Sequence, residues 1–213
     1  MDVASLSPEA VVNRYLEAIG GREKLEKITT LRRVASAEVS GMQMEVEEIN
    51  RTPNSTYKKQ SMMGQVMFTT VFNGEKSMII SPQGKQILEG EEANALNEGG
   101  IFPALMWLNN PEYELSLEGE AEVNGEKAIK LRVKTGNSEG TLYYYSLATG
   151  LQLREETKSP QGTTYANITA YEEIEEIKFI KEMQSEQMGM AFKIIYQTTE
   201  LNPQVDETIF KIE

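Results

Sequence analysis

Apolar and polar positions keep two different periods along this chain. Val11, Val12, Tyr15, Leu16 and Ile19 recur at helical spacing. Ser7 precedes them as a helix cap, with Pro8 at the first helical position and Gly20-Gly21 as the stop. A short second helix is predicted over Glu23–Ile28, with Leu25 and Ile28 on one side. From Leu31 the period becomes two. Met42, Met44 and Val46 alternate with Gln43, Glu45 and Glu47, as in a strand with one wet face. Strands follow over 55–63 and 65–72 around Gly64, then 77–81. Asn73-Gly74 and Asn124-Gly125 are hairpin signals, because both residue types accept the positive φ of a type I′ turn. Ile129, Leu131 and Val133 alternate with Lys130, Arg132 and Lys134. Further strands are predicted over 141–147, 151–158, 164–171, 177–183 and 190–199, joined by Ala148-Thr149-Gly150 and Pro160-Gln161-Gly162. Short connections imply antiparallel neighbours. About ten or eleven strands are too many for a flat open sheet and imply a strongly curled sheet or barrel.

One segment interrupts this meander. Glu91–Glu98 reads as a polar helix ended by Gly99-Gly100. Ile101–Leu108 reads as a short helix, apolar all round, with Pro103 in its first turn. Such a helix is expected to be buried, as a plug or lid on a concave sheet. Gly84, Gly90 and Gly99-Gly100 read as turns. No linker, repeat or low-complexity tract divides the chain, so a single domain is expected over residues 1–213. Its parts are a helical segment 7–28, a half-barrel 31–200 and lid helices 91–109.

The 213 residues carry 33 Asp and Glu against 21 Lys and Arg, a net charge of −12. That field disfavours nucleic acid and anionic membrane surfaces. The sequence contains no cysteine and no histidine, which removes thiolate nucleophiles, imidazole bases, disulfides and Cys/His zinc sites. No apolar run approaches the ~20 residues of a membrane helix. The first residues show no basic or apolar leader, so either the protein is cytoplasmic or an export signal was trimmed ahead of residue 1.

Several segments together resemble a known superfamily. They are Val12–Tyr15–Leu16–Ala18–Ile19–Gly20–Gly21–Leu25–Ile28, Arg51-Thr52-Pro53-Asn54, Phe72-Asn73-Gly74-Glu75-Lys76 and Gly119 to Ala128. Leu142-Tyr143-Tyr144 before Thr149-Gly150-Leu151, Tyr171 before Ile177-Lys178-Phe179, and Leu201-Asn202-Pro203 with Asp206 and Phe210 complete the series. In that order they resemble the outer-membrane lipoprotein carriers LolA and LolB, in the form found among exported proteins of Bacteroidetes-type bacteria. The resemblance implies an incomplete antiparallel β-barrel, helices closing its mouth, an apolar cavity and carriage of lipid-modified cargo through the periplasm. Where this group usually has Gly before Ile-Lys-Phe and Pro after it, the chain has Glu176 and Ile180, so a looser turn and altered pairing of the last strands are expected.

The expectation is therefore a mainly β, LolA-like fold and a non-catalytic periplasmic carrier of lipid or lipoprotein acyl chains, needing no cofactor or metal. Its ligand-lining residues are Met44, Val46, Phe68, Met78, Ile80, Leu131, Val133, Leu153, Phe192 and Ile194, with Leu105, Met106, Trp107 and Leu108 as the lid. Eleven methionines against six phenylalanines suit a cavity that moulds to varied ligands, since Met is unbranched and polarizable, but they equally fill gaps in an ordinary core. Tyr143-Tyr144-Tyr145 reads as a cavity rim or simply as good strand formers. The Glu pairs at 91–92, 155–156, 172–173 and 175–176 read as solvated faces. A glycosidase pair is the enzymatic alternative. The non-enzymatic alternative is an envelope protein-interaction module with a filled core.

Overall fold

The computed structural model describes residues 6–213 apart from 40, 95, 97, 98, 137, 160, 161, 188 and 189, together with the side chains at 39, 91, 159, 186, 187 and 190. Thirteen strands run β1 (Thr30–Val39), β2 (Met42–Arg51), β3 (Ser55–Met62), β4 (Gln65–Phe72), β5 (Ser77–Ser81), β6 (Gly84–Leu88), β7 (Tyr113–Val123), β8 (Glu126–Thr135), β9 (Thr141–Ser146), β10 (Gln152–Ser159), β11 (Gly162–Ile174), β12 (Ile177–Gln187) and β13 (Met190–Leu201). The helices are α1 (Pro8–Ala18), α2 (Arg22–Leu25), α3 (Gly90–Asn94) and α4 (Pro103–Trp107), with a 3₁₀ turn at Glu207–Phe210. The sheet order is β6-β5-β4-β3-β2-β1-β13-β12-β11-β10-β9-β8-β7, so β6 and β7 are edge strands and the barrel is not closed. The strand count exceeds the ten or eleven expected. The polar helix expected over 91–98 is described only as Gly90–Asn94, and the expected Pro160-Gln161-Gly162 turn lies mostly outside the described residues. No described helix is long and apolar enough to cross a membrane.

Contacts gather the chain into two compact units, Met1–Leu25 with Ala104–Lys193, and Glu26–Pro103 with Ile194–Glu213. In the first, Ser7 caps α1 by accepting the Ala10 amide at 3.2 Å. Val11, Val12, Leu16 and Ile19 are buried, each worth about 1.5–3 kcal/mol of removed apolar surface. The Lys178 amide donates to the Ile19 carbonyl at 2.8 Å. Arg14 donates to the Leu147 carbonyl at 2.7 Å and the Ala148 carbonyl at 3.0 Å. Gly20 has φ +141°, and a Cβ there would lie 3.0 Å from the Glu176 carbonyl oxygen. Only glycine lets the helix end approach the β11–β12 turn this closely. That turn is tight rather than loose. Glu175 and Glu176 take φ 50° and 61° between paired Ile174 and Ile177, a two-residue connection of the primed type.

In the second unit, Asn202 ties the start of β1 to the end of β13. Its Oδ1 accepts the Thr29 amide at 2.7 Å and the Thr30 amide at 3.2 Å. The buried Phe210 ring lies under Arg51, whose guanidinium is 4.7 Å from the ring centroid. Ser77, fully buried, donates to the Ala93 carbonyl at 2.9 Å and fixes α3 against β5. Asn73-Gly74 does not form the expected two-residue turn. Asn73 Oδ1 accepts the Glu75 and Lys76 amides at 3.0 and 2.8 Å, closing a longer loop.

Candidate functional site

In the first unit, strand register sorts the predicted residues by face. Leu131 pairs with Tyr143, Val133 with Thr141 and Ile129 with Tyr145, so these side chains share one side of the sheet. Leu131 and Val133 are buried there. Tyr145 meets Tyr15 of α1 at 5.0 Å between ring centroids, and Tyr143 meets Trp107 of α4 at 4.9 Å. Of the predicted lid, Trp107 is buried, while Leu105, Met106 and Leu108 are half-buried. Trp107 thus rests on a tyrosine. The enclosed cavity beside Tyr145, bounded by Val11, Arg14, Ile129 and Ser146, is only about 10 Å³, too small for an acyl chain. A surface groove of about 370 Å³ passes Trp107, Leu108 and Tyr113.

Leu153 is placed apart from this set. A bulge between Gln152 and Arg154 sends it against Val123, Ala128, Leu142 and Tyr144, on the opposite face. There the Tyr144 hydroxyl donates to Glu156 at 2.7 Å.

The tyrosines are held neutral. Burial, then the nearby Glu155 charge, pushes Tyr15 up to about 12. Burial and the bond to Glu156 push Tyr144 up to about 12. Burial raises Tyr143, Tyr145 and Tyr171 as well. Phenols that keep their protons at neutral pH offer no general base. The Tyr171 hydroxyl donates to the Gln152 carbonyl at 2.9 Å, whereas the Tyr145 hydroxyl, on a residue 1% exposed, has no hydrogen-bond partner among the described residues.

In the second unit, Ala37 pairs with Met44 and Ala35 with Val46. Met44 pairs with Met62 and Val46 with Gln60, and Gln60 pairs with Phe68. Met44, Val46 and Phe68 therefore share a face. Met78 pairs with Val71 and Ile80 with Thr69, which places both on the other face. Met78 is buried there and Ile80 is exposed. Ile194 on β13 is half-buried, and so is Phe192, two residues earlier on that strand and part of the first unit. The Met190 side chain lies outside the description. Two residues beyond Ile194, Tyr196 supports Arg33, whose guanidinium sits 3.3 Å from the ring centroid.

At one end of these strands lies an open cleft of about 580 Å³, lined by Ala35, Met44, Met63, Gln43, Glu45 and Gln197 among others. Met63 is exposed there, and Met42 on β2 and Val66 and Phe68 on β4 are exposed as well. The sequence reading singled out Met44 and Phe68 but missed Met63, which sits with Gly64 in a tight turn at φ 51°. Alternation carries no signal for a residue that stands outside both strands. Among the described residues no three His, Cys, Asp or Glu side chains gather as a metal cluster.

No protein-family model and no curated protein sequence matches the chain. Solved structures do. A LolA superfamily protein from Nitrosomonas europaea is similar at TM-score 0.69 and 11% identity, over 97% of this chain and 99% of that one. A DUF1329 family protein from Desulfovibrio piger is similar at TM-score 0.67 and 13% identity, over 97% and 98%. A domain from Vibrio parahaemolyticus assigned to outer membrane lipoprotein sorting is similar at TM-score 0.65 and 10% identity, over 96% and 97%. At such identities these likenesses establish the fold.

Proposed function

Proceeding from a LolA-like fold, we propose that this chain is a non-catalytic carrier of the bacterial envelope that holds the acyl chain of a lipid or lipoprotein. The observation that carries the reading is the open cleft of about 580 Å³ at the methionine-rich end of the second unit. Its volume lies within the roughly 300–1,000 Å³ of small-molecule sites. Met44 and Met63 line it beside Ala35, among polar Ser36, Gln43, Glu45, Ser61 and Gln197, so its apolar contacts come mainly from flexible thioethers. Burying an acyl chain yields about 0.8 kcal/mol per CH₂, so sixteen carbons give at most about 12 kcal/mol before ordering costs. Cargo of this kind is held by dry surface alone and needs no reacting group. The likeness to a LolA superfamily protein and to a lipoprotein-sorting domain supports both the cargo class and a periplasmic location.

Native mass spectrometry of the protein from its host is expected to reveal bound lipid. A fluorescent fatty acid should bind the delipidated protein, and Met44→Glu or Phe68→Glu should weaken it by tenfold or more. A flat titration with wild-type protein would end the proposal.

One observation favours a second reading. In the first unit the interior under Trp107 is filled by Tyr143, Tyr15 and Tyr145, as an envelope protein-interaction module would require. Lipid-free protein that co-purifies with one specific envelope protein would support it.

A further inference from the structure

The methionines of β2 and β3, of which Met44 lines the cleft, have a property that the carrier reading does not use. Met42 and Met44 stand two residues apart on β2, with unbroken pairing to β1 between them, so both project from one face. Met62 is the direct partner of Met44 on β3 and joins that face, with Cα atoms of such pairs about 4.5–5.5 Å apart. Successive same-face positions along a strand are roughly 6.5–7 Å apart. Three flexible thioethers thus root within one side chain's reach of each other. Met44 and Met62 are half-buried, and Met42 is 56% exposed, so solvent reaches the group. Met63 follows directly, 95% exposed and with φ 51°, a conformation that residues with side chains rarely adopt. It lines the cleft together with Met44 and Glu45.

We infer that Met42, Met44 and Met62, with Met63 at the entrance, form a binding site for a soft monovalent cation, Cu(I) or Ag(I). Thioether sulfur is a soft donor that selects such ions over hard magnesium or calcium. It is weak singly, so a site needs several sulfurs within reach of one ion, and the register of β2 and β3 roots three of them on one face. The net charge of −12 and the adjacent Glu45 draw cations toward the cleft. The inference is independent of acyl-chain carriage.

The chain suits a decisive test, because it contains neither cysteine nor histidine and any soft-metal affinity must come from methionine. Full-length protein is titrated with Cu(I) against a chromophoric chelator without oxygen, and with Ag(I) by calorimetry. One equivalent should bind at least tenfold more tightly than to free methionine at equal thioether concentration. In protein labelled at the methionine methyl carbons, the NMR signals of Met42, Met44 and Met62 should shift, and that of buried Met78, on the opposite face, should not. Met44→Leu/Met62→Leu, close in volume, should lose at least tenfold in affinity with an unchanged circular dichroism spectrum. Met78→Leu should bind as wild type. Affinity no better than that of free methionine would overturn the assignment. So would equal shifts on all eleven methionines, or full binding by the folded double variant. Failure of fatty-acid binding leaves these outcomes untouched.

Discussion

The unpartnered Tyr145 hydroxyl makes an unusual prediction: its removal should stabilise the protein. Tyr145 is 1% exposed. Its ring keeps company with Tyr15 at 5.0 Å and Tyr143 at 6.3 Å, and Phe preserves both contacts. The hydroxyl has left water without gaining a hydrogen bond, a desolvation cost of about 1–3 kcal/mol. Tyr145→Phe should return that amount. For a chain of this size each kcal/mol raises Tm by roughly 2–4 °C, so the low end of the range gives about 2–4 °C. Tyr171→Phe is the internal control. It deletes the bond to the Gln152 carbonyl and should cost about 0.5–1.5 kcal/mol. Calorimetry and urea unfolding of the two variants side by side provide the measurement. If Tyr145→Phe destabilises as much as Tyr171→Phe, the hydroxyl has a partner in solution and the reasoning is wrong.

Alkaline pH should unfold the chain abruptly. Tyr15 and Tyr144 are pushed up to about 12, and Tyr143, Tyr145 and Tyr171 are also raised. The unfolded chain loses phenolic protons near pH 10 while the folded one keeps them. Stability is therefore full below pH 10 and falls above it, by about 1.4 kcal/mol per pH unit for each such tyrosine; phenolate absorbance followed alongside circular dichroism checks whether ionisation of these groups coincides with unfolding. Gly20→Ala should cost about 1–3 kcal/mol in urea unfolding, because its Cβ meets the Glu176 backbone. Gly41→Ala, with open space around it, should cost only about 1 kcal/mol.

Where the chain alternates without interruption, its fold was legible. The strands at 42–51, 55–62, 65–72 and 126–135 lie where the period of two places them. Asn124-Gly125 makes its turn at φ 52° and 84°. Failures cluster at bulges and short edges. β7 was not recognised because its register shifts between Leu117 and Glu120, so Glu118, Gly119 and Glu120 break the alternation. β6 was lost because Gly84, read as a turn, is the first residue of a five-residue edge strand. The bulge beside Leu153 turned a residue expected with Leu131 onto the other face. A bulge changes face without changing composition, so the sequence carries no mark of it. Met78 and Ile80 illustrate a second difficulty. Residues 65–72 offer apolar side chains on both faces, and only pairing decides which face the next strand joins.

The position of β1 has a consequence for synthesis. One of its neighbours, β2, follows within a few residues, but the other is β13, the last strand made. At about 5–20 residues per second, a nascent chain waits on the order of ten seconds with that flank of β1 bare. Backbone donors and acceptors there are open to any passing strand. A chain cut short before Met190 never acquires the missing neighbour, so truncated products should aggregate rather than persist as soluble halves.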